Sequence, residues 1–171
     1  NEGEVFGLLG PNGAGKTTTV EILEGYRERD SGRVDVLGFD PARAERNYRE
    51  RIGVVLQQSQ LWANLTVGET HRLFAGYYRE PRDVDEVIDL VGLGDKRDAR
   101  VKTLSENQKR RLDLGVALVG DPDLVFLDEP TTGFDPTARR AAWKMIRSLR
   151  SLRKTILLTT HYLDEAQQLA D

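Results

Sequence analysis

At 171 residues the chain has room for one domain with a substantial core and a small insertion. Its formal net charge of −3, in a chain that is 31% charged, supplies no basic field for nucleic acid or an anionic membrane surface. Cysteine is absent, which excludes disulfides, thiolate zinc sites and thiol catalysis and fits a reducing compartment. No apolar run approaches the roughly 20 residues needed to cross a bilayer, and Asn1-Glu2-Gly3-Glu4 does not read as a signal peptide, so any membrane role calls for a partner.

The first predicted element is the apolar run Val5-Phe6-Gly7-Leu8-Leu9, a strand. It delivers Gly10-Pro11-Asn12-Gly13-Ala14-Gly15-Lys16-Thr17 and then the helix opening Thr18-Thr19-Val20-Glu21-Ile22-Leu23. Strand, G-x-x-x-x-G-K-[ST] loop and helix together describe a phosphate cradle, in which glycines let successive backbone N–H groups turn inward onto bound oxygens. The positive end of the helix dipole reinforces the same spot. Lys16 is placed to neutralise the β and γ phosphates, and the Thr17 hydroxyl to ligate Mg²⁺. Gly25 is suited to ending this helix.

Val34 to Gly38 alternates like a short strand after the turn Asp30-Ser31-Gly32. Pro41 to Arg51 reads as a surface helix with Pro41 near its first position. Arg51 to Leu56 then forms a buried strand ending on Gln57, at the edge where open α/β sheets bind ligands. From Ser59 to Thr103 the pattern is helical only. Thr66-Val67-Gly68-Glu69 is a capping box, and Val84, Val87, Ile88 and Val91 give a second helix an apolar face with Gly92 placed to end it. Leu61-Trp62, in the loop before these helices, is either a contact surface or a packed anchor.

Ser105 and Gln108 form another capping box, opening a largely buried helix through Val119. Leu124-Val125-Phe126-Leu127 has the continuous apolar character of a central parallel strand, and it brings Asp128-Glu129 to the carboxyl edge of the sheet. Paired carboxylates there are costly unless a cation or a reaction uses them. Asp128 is positioned to hold Mg²⁺ through water, and Glu129 to take a proton from water attacking the γ-phosphate. Asp135 and Pro136 read as cap and first position of a helix reaching about Leu152. Lys154 to Thr160 is a further strand that ends on His161, placed to donate a hydrogen bond to the γ-phosphate beside Lys16 and Gln57.

In this order the residues resemble the ATP-binding domains of ABC transporters over essentially the whole chain. Gly10 to Thr17 looks like the Walker A loop, Gln57 the Q-loop glutamine, Leu104 to Gln108 the signature segment, and Leu124 to Asp128 the Walker B strand. Glu129 is similar to the catalytic glutamate, Asp135 to the D-loop aspartate, and His161 to the switch histidine. The resemblance implies an α/β fold: a P-loop NTPase (RecA-like) core with a parallel sheet, spanning 1–58 and 104–171, and an inserted α-helical subdomain at 59–103. It implies ATP and Mg²⁺ as cofactors, with Asn12, Gly13, Ala14, Gly15, Lys16, Thr17 and Thr18 around the phosphates and Thr17, Gln57 and Asp128 around the metal. A head-to-tail pairing with a second ATP-binding domain would bring Ser105, Gln108 and Asp135 to the nucleotide of the other copy. The remaining implied partner is a transmembrane permease subunit docking near Gln57 to Leu65, which would hold the chain on the cytoplasmic face of the cell membrane. The wording from Gly133 to Pro136 and from Thr159 to Ala166 is most similar to bacterial drug or antibiotic efflux subunits of the ABC-2 type.

Two departures from the family pattern follow. Glu106 and Asn107 stand where the family carries two glycines, adding bulk and a negative charge at a surface meant to approach phosphate. The expectation is a chain that binds nucleotide at its own loop but closes poorly around it, a hydrolysis-deficient or regulatory module being the alternative. The family's flanking strands, one with an adenine-stacking aromatic residue, fall outside this sequence, so little discrimination between nucleotide bases and exposed sheet edges are expected. A GTPase reading lacks the Asn-Lys-x-Asp element, and an ABC-type DNA-repair ATPase would split the two halves with a long coiled coil.

Overall fold

The computed structural model describes residues 2–43, 45–56, 61–149 and 152–170. Four parallel strands form one sheet: β1 (Val5–Leu9), β2 (Ile52–Val55), β3 (Leu124–Asp128) and β4 (Thr155–Thr160), in the order β1-β4-β3-β2. The last strand in sequence thus lies between the first and the third. Register pairs Leu9 with Thr160 and Asp128 with Thr159, which aligns the carboxyl ends of β1, β3 and β4 at one edge. All five residues of β3 are buried, as its continuous apolar run predicts.

Side chains alternate across a strand, and the sheet uses both faces. Val5, Val55, Val125, Leu127, Ile156 and Leu158 share one core cluster with buried residues of α4 (Val84–Leu90), α5 (Glu106–Leu118), α6 (Pro136–Leu149) and α7 (Leu163–Leu169). Ile52, Leu124 and Phe126 turn the other way, onto Val20 of α1 (Lys16–Glu24) and Tyr48 of α2 (Arg46–Arg49). Gly53 permits the close seat of α5 on β2, since a Cβ there would press into the carbonyl oxygen of Ala117 and lie 3.0 Å from Pro122.

The helices of the insertion, α3 (Val67–Ala75) and α4, pack on each other and on α5. Both predicted capping boxes form: Thr66 with Glu69 opens α3, and Ser105 with Gln108 opens α5. The Asp83 carboxylate caps α4 by accepting from the N–H groups of Asp85 and Glu86. Leu61 packs against the core, whereas Trp62 remains 54% exposed with its ring 6.1 Å from that of Phe74.

Two expectations are corrected. Val34 to Gly38 is no strand: Leu37 and Gly38 both have positive φ, and Val36 and Phe39 exchange two backbone hydrogen bonds across them, so the alternating residues make a tight turn. Pro41 to Arg51 is not one surface helix but a 3₁₀ turn, Pro41–Arg43, followed by the four-residue α2. Tyr48 explains the second piece, because its ring is fully buried and its hydroxyl donates to the Leu23 carbonyl, tying α2 to the end of α1. Helix α6 is described to Leu149, and its expected reach to about Leu152 runs onto residues outside the described ones.

Gly53→Ala is expected to lower unfolding stability by about 1–3 kcal/mol, through displacement of α5 from the sheet. Urea titration checks this: the midpoint should fall with little change in slope, and an unchanged midpoint would contradict the packing described.

Candidate nucleotide site

The loop between β1 and α1 is shaped by conformation more than by crowding. Gly13 and Gly15 have φ of 82° and 87°, and a Cβ on either would meet nothing within 4 Å, so glycine is required for the left-handed backbone itself. The Ala14 N–H donates to the Pro11 carbonyl at 3.2 Å, and the Gly10 N–H to the Thr160 carbonyl of β4 at the same distance. No side chain caps α1 and its first turn holds no acid, which leaves its positive end to an anion. Asn12, Gly13, Gly15, Lys16, Thr17, Thr18 and Glu129 line a cleft of about 340 Å³ at this point.

Lys16 is buried and folds back over its own loop, donating to the carbonyls of Gly10 at 2.9 Å and Pro11 at 3.1 Å. Its Nζ also lies 3.4 Å from Glu129 Oε1. The Thr17 hydroxyl donates to Asp128 Oδ2 at 3.3 Å, and the Thr159 hydroxyl to Oδ1 at 2.5 Å. Among the described residues no group of three or more His, Cys, Asp or Glu could cage a metal. Thr17 and Asp128 do fit a Mg²⁺ that takes its remaining oxygens from phosphate and water, the usual arrangement for this ion.

Glu129 takes the opposite turn from its neighbour. With φ at 47° it leaves the strand in the left-handed region, a conformation that costs a non-glycine residue about 1–2 kcal/mol. Its N–H is anchored on Thr159, by the carbonyl at 3.2 Å and the hydroxyl at 3.0 Å. The Glu129 carboxylate accepts from the Thr132 hydroxyl at 3.1 Å, and His161 Nδ1 stands 3.2 Å from Oε1 without an aligned hydrogen bond. Burial pushes this carboxyl up, but the groups of His161, Thr132 and Lys16 outweigh it and hold Glu129 below the usual carboxylate range. The following loop is fixed by Glu165, which accepts from Thr131 at 2.7 Å and from the Trp143 indole at 3.0 Å.

The structure therefore brings Lys16, Thr17, Asp128, Glu129 and His161 together. Ser105, Gln108 and Asp135 lie elsewhere: the first two are engaged in the cap of α5, and Asp135 accepts from the N–H groups of Thr137 and Ala138 at the start of α6. Gln57 lies outside the described residues. Glu106 is paired with Lys109 at 2.6 Å, so the charge it presents at the signature surface is partly compensated. Thr159 was not singled out from sequence, although a Thr-Thr pair closing an apolar strand is a signal that its end meets polar groups. Thr131, Thr132 and Glu165 gave no comparable signal.

A second groove of about 390 Å³ lies away from this chemistry, lined by Glu24, Tyr26, Phe74 and Tyr78 among others. Glu24 closes α1 and is 7% exposed. Burial first, then the negative charges of Asp128 and Glu21, push its carboxyl up to about 8.

The matches to known proteins agree with this geometry. The family model described as ABC transporter matches residues 1–132. A Nod factor export ATP-binding protein I of Burkholderia orbicola (strain AU 1054) is 45% identical over 174 residues, covering 99% of this chain and 57% of that protein. The protein of the same name from Rhizobium meliloti (strain 1021) is 47% identical, with 99% and 52% covered. The chain thus spans little more than half the length of these relatives. Among solved structures, an ATP-binding subunit of an ABC transporter superposes with a TM-score of 0.84 at 28% identity, covering 100% of this chain and 73% of that one. The ADP conformation of an ABC transporter's ATP-binding cassette gives 0.81 at 24% identity over 99% and 75%, a likeness of fold.

Thr159→Val removes the hydroxyl that serves both carboxylate-bearing residues. Nucleotide affinity in the presence of Mg²⁺ is expected to fall about tenfold by titration calorimetry, and an unaltered affinity would remove Thr159 from the site.

Glu24 gives a pH prediction. Its folded pKa is raised, so its contribution to stability is fully present below its ordinary value of 4.5 and is lost as pH rises through about 8. Glu24→Gln, a mimic of the protonated acid, should match the parent near pH 4 and exceed it above pH 8, by roughly 2–5 kcal/mol. Thermal melts across that range would show the gap widening; a gap that narrows with pH would be contrary to the assignment.

Proposed function

The chain belongs to the ATP-binding family of ABC transporters, and from that premise we propose that it binds and hydrolyses ATP with Mg²⁺ to power export through a partner membrane subunit. The observation that carries this reading is the convergence of Lys16, Thr17, Asp128, Glu129 and His161 on one cleft at the sheet edge. Lys16 and the free end of α1 bind the β and γ phosphates, Thr17 and Asp128 hold Mg²⁺, and Gln57 completes the metal and water positions. Glu129 accepts the proton of the attacking water. An incoming γ-phosphate competes for Lys16 and His161, the groups that keep Glu129 a weak base, so substrate entry itself raises its basicity.

The core is formed by 1–58 and 104–171, and 59–103 is the helical subdomain that meets the membrane partner near Gln57 to Leu65. Ser105, Gln108 and Asp135, engaged in helix caps and not in their own cleft, serve the nucleotide of a second copy packed head to tail. The exporter names of the relatives support the direction of transport. The cargo is recognised by the membrane partner, so a drug, an antibiotic or a Nod factor suits the same engine. That partner holds the chain at the cytoplasmic face, and among the described residues no helix is long and apolar enough to cross a membrane. Glu106 and Asn107 favour a second reading, in which the chain binds ATP but closes on it only with a better-matched copy.

ATP hydrolysis measured against protein concentration separates the two. A working composite site gives turnover that rises faster than linearly with concentration and vanishes in Glu129→Gln, while nucleotide still binds. Binding without turnover at any concentration would favour the second reading. Replacing Glu106 and Asn107 together by glycine is expected to raise both ATP-dependent dimerisation and turnover; no change in either would clear these residues of blame.

A further inference from the structure

Tyr162 follows His161 between β4 and α7, and its ring has two neighbours. The His161 imidazole lies 4.0 Å away between centroids, tilted by 39°. The Arg139 guanidinium stands 4.1 Å from the same ring centroid. Arg139 belongs to the first turn of α6, where its backbone N–H donates to the Asp135 carbonyl at 2.9 Å. Its Nε is buried with no hydrogen-bond partner, and its Nη1 pairs with Asp164 Oδ2 only at 3.7 Å. A cation so poorly served by acceptors is held chiefly by the aromatic face.

His161 is in a similar position. Its Nδ1 is close to Glu129 but has no aligned hydrogen bond, so hydrogen bonding at that nitrogen does not fix the ring plane. A flat ring packed at a tilt against the imidazole restricts it instead. We propose that Tyr162, clamped by Arg139, is the positioning residue that orients His161 toward Glu129 and the γ-phosphate. The clamp joins the histidine to the Asp135-capped end of α6, so a shift of that end reaches the hydrolytic site through a cation, a phenol ring and an imidazole. This inference rests on the hydrolytic reading above and concerns how its histidine is aimed.

Steady-state ATP hydrolysis by Tyr162→Leu, Tyr162→Phe and Arg139→Gln tests it, each also placed in a His161→Ala background. Tyr162→Leu and Arg139→Gln should lower kcat about tenfold with KM changed less than about twofold. Tyr162→Phe, which keeps the ring, should recover most of the rate lost in Tyr162→Leu. Neither damaging substitution should cost more once His161 is alanine, because both act through it. A full additional loss in that background, or failure of phenylalanine to recover the rate, would overturn the proposal. Absence of turnover in the parent chain would instead contradict the hydrolytic reading, and imidazole NMR then tests the ring contact alone. The chain has two histidines, and the other, His71, is buried in α3. A shifted His161 resonance in Arg139→Gln supports the clamp, and an unmoved one refutes it.

Discussion

Two adjacent carboxylates at the end of a buried strand are the constraint on which the site depends. Asp128 and Glu129 are both under 10% exposed, and neighbouring negative charges in such a place repel unless each has its own compensation. The backbone separates them: Asp128 ends β3 in register, and Glu129 turns into the left-handed region. Asp128 receives the hydroxyls of Thr17 and Thr159, whereas Glu129 receives Lys16, Thr132 and the neighbourhood of His161. Under the proposed function the separation also divides the chemistry, with one acid assigned to the metal side and the other to the reacting phosphate.

Topology makes that compensation possible. Because β4 is inserted between β1 and β3, Thr159 can serve the carboxylates on one side while Thr160 accepts the Gly10 N–H on the other. A four-stranded parallel sheet with helices on both faces thereby turns one polar strand end into the link between phosphate loop and acids. Covering both faces also explains the continuous apolar run of β3, which would otherwise expose half its side chains.

Much of this was legible in the sequence. The P-loop, the apolar run before Asp128, both capping boxes and the strand ending on His161 depend on local patterns, and each takes the predicted form. What escaped depends on tertiary context. Tyr48 ties a segment that reads as surface to the end of α1, and the alternation at Val34 to Gly38 closes as a turn, with no strand paired to it among the described residues. The left-handed Glu129, the hydroxyl of Thr159 and the Glu165 brace are likewise set by partners about 30 residues away or by backbone geometry. At the signature surface, Glu106 reads from sequence as a bare repulsive charge, and its pairing with Lys109 softens that.

In the proposed function, Asp128 and Thr17 form the metal side of a nucleotide site whose anion side is the loop around Lys16. Calorimetric titration of ATP with and without Mg²⁺, in the parent chain and in Asp128→Asn, tests it most directly. Mg²⁺ should strengthen ATP binding in the parent, and this gain should be lost in Asp128→Asn, whose Mg²⁺-free binding is no weaker. A gain from Mg²⁺ that survives intact in Asp128→Asn would contradict it.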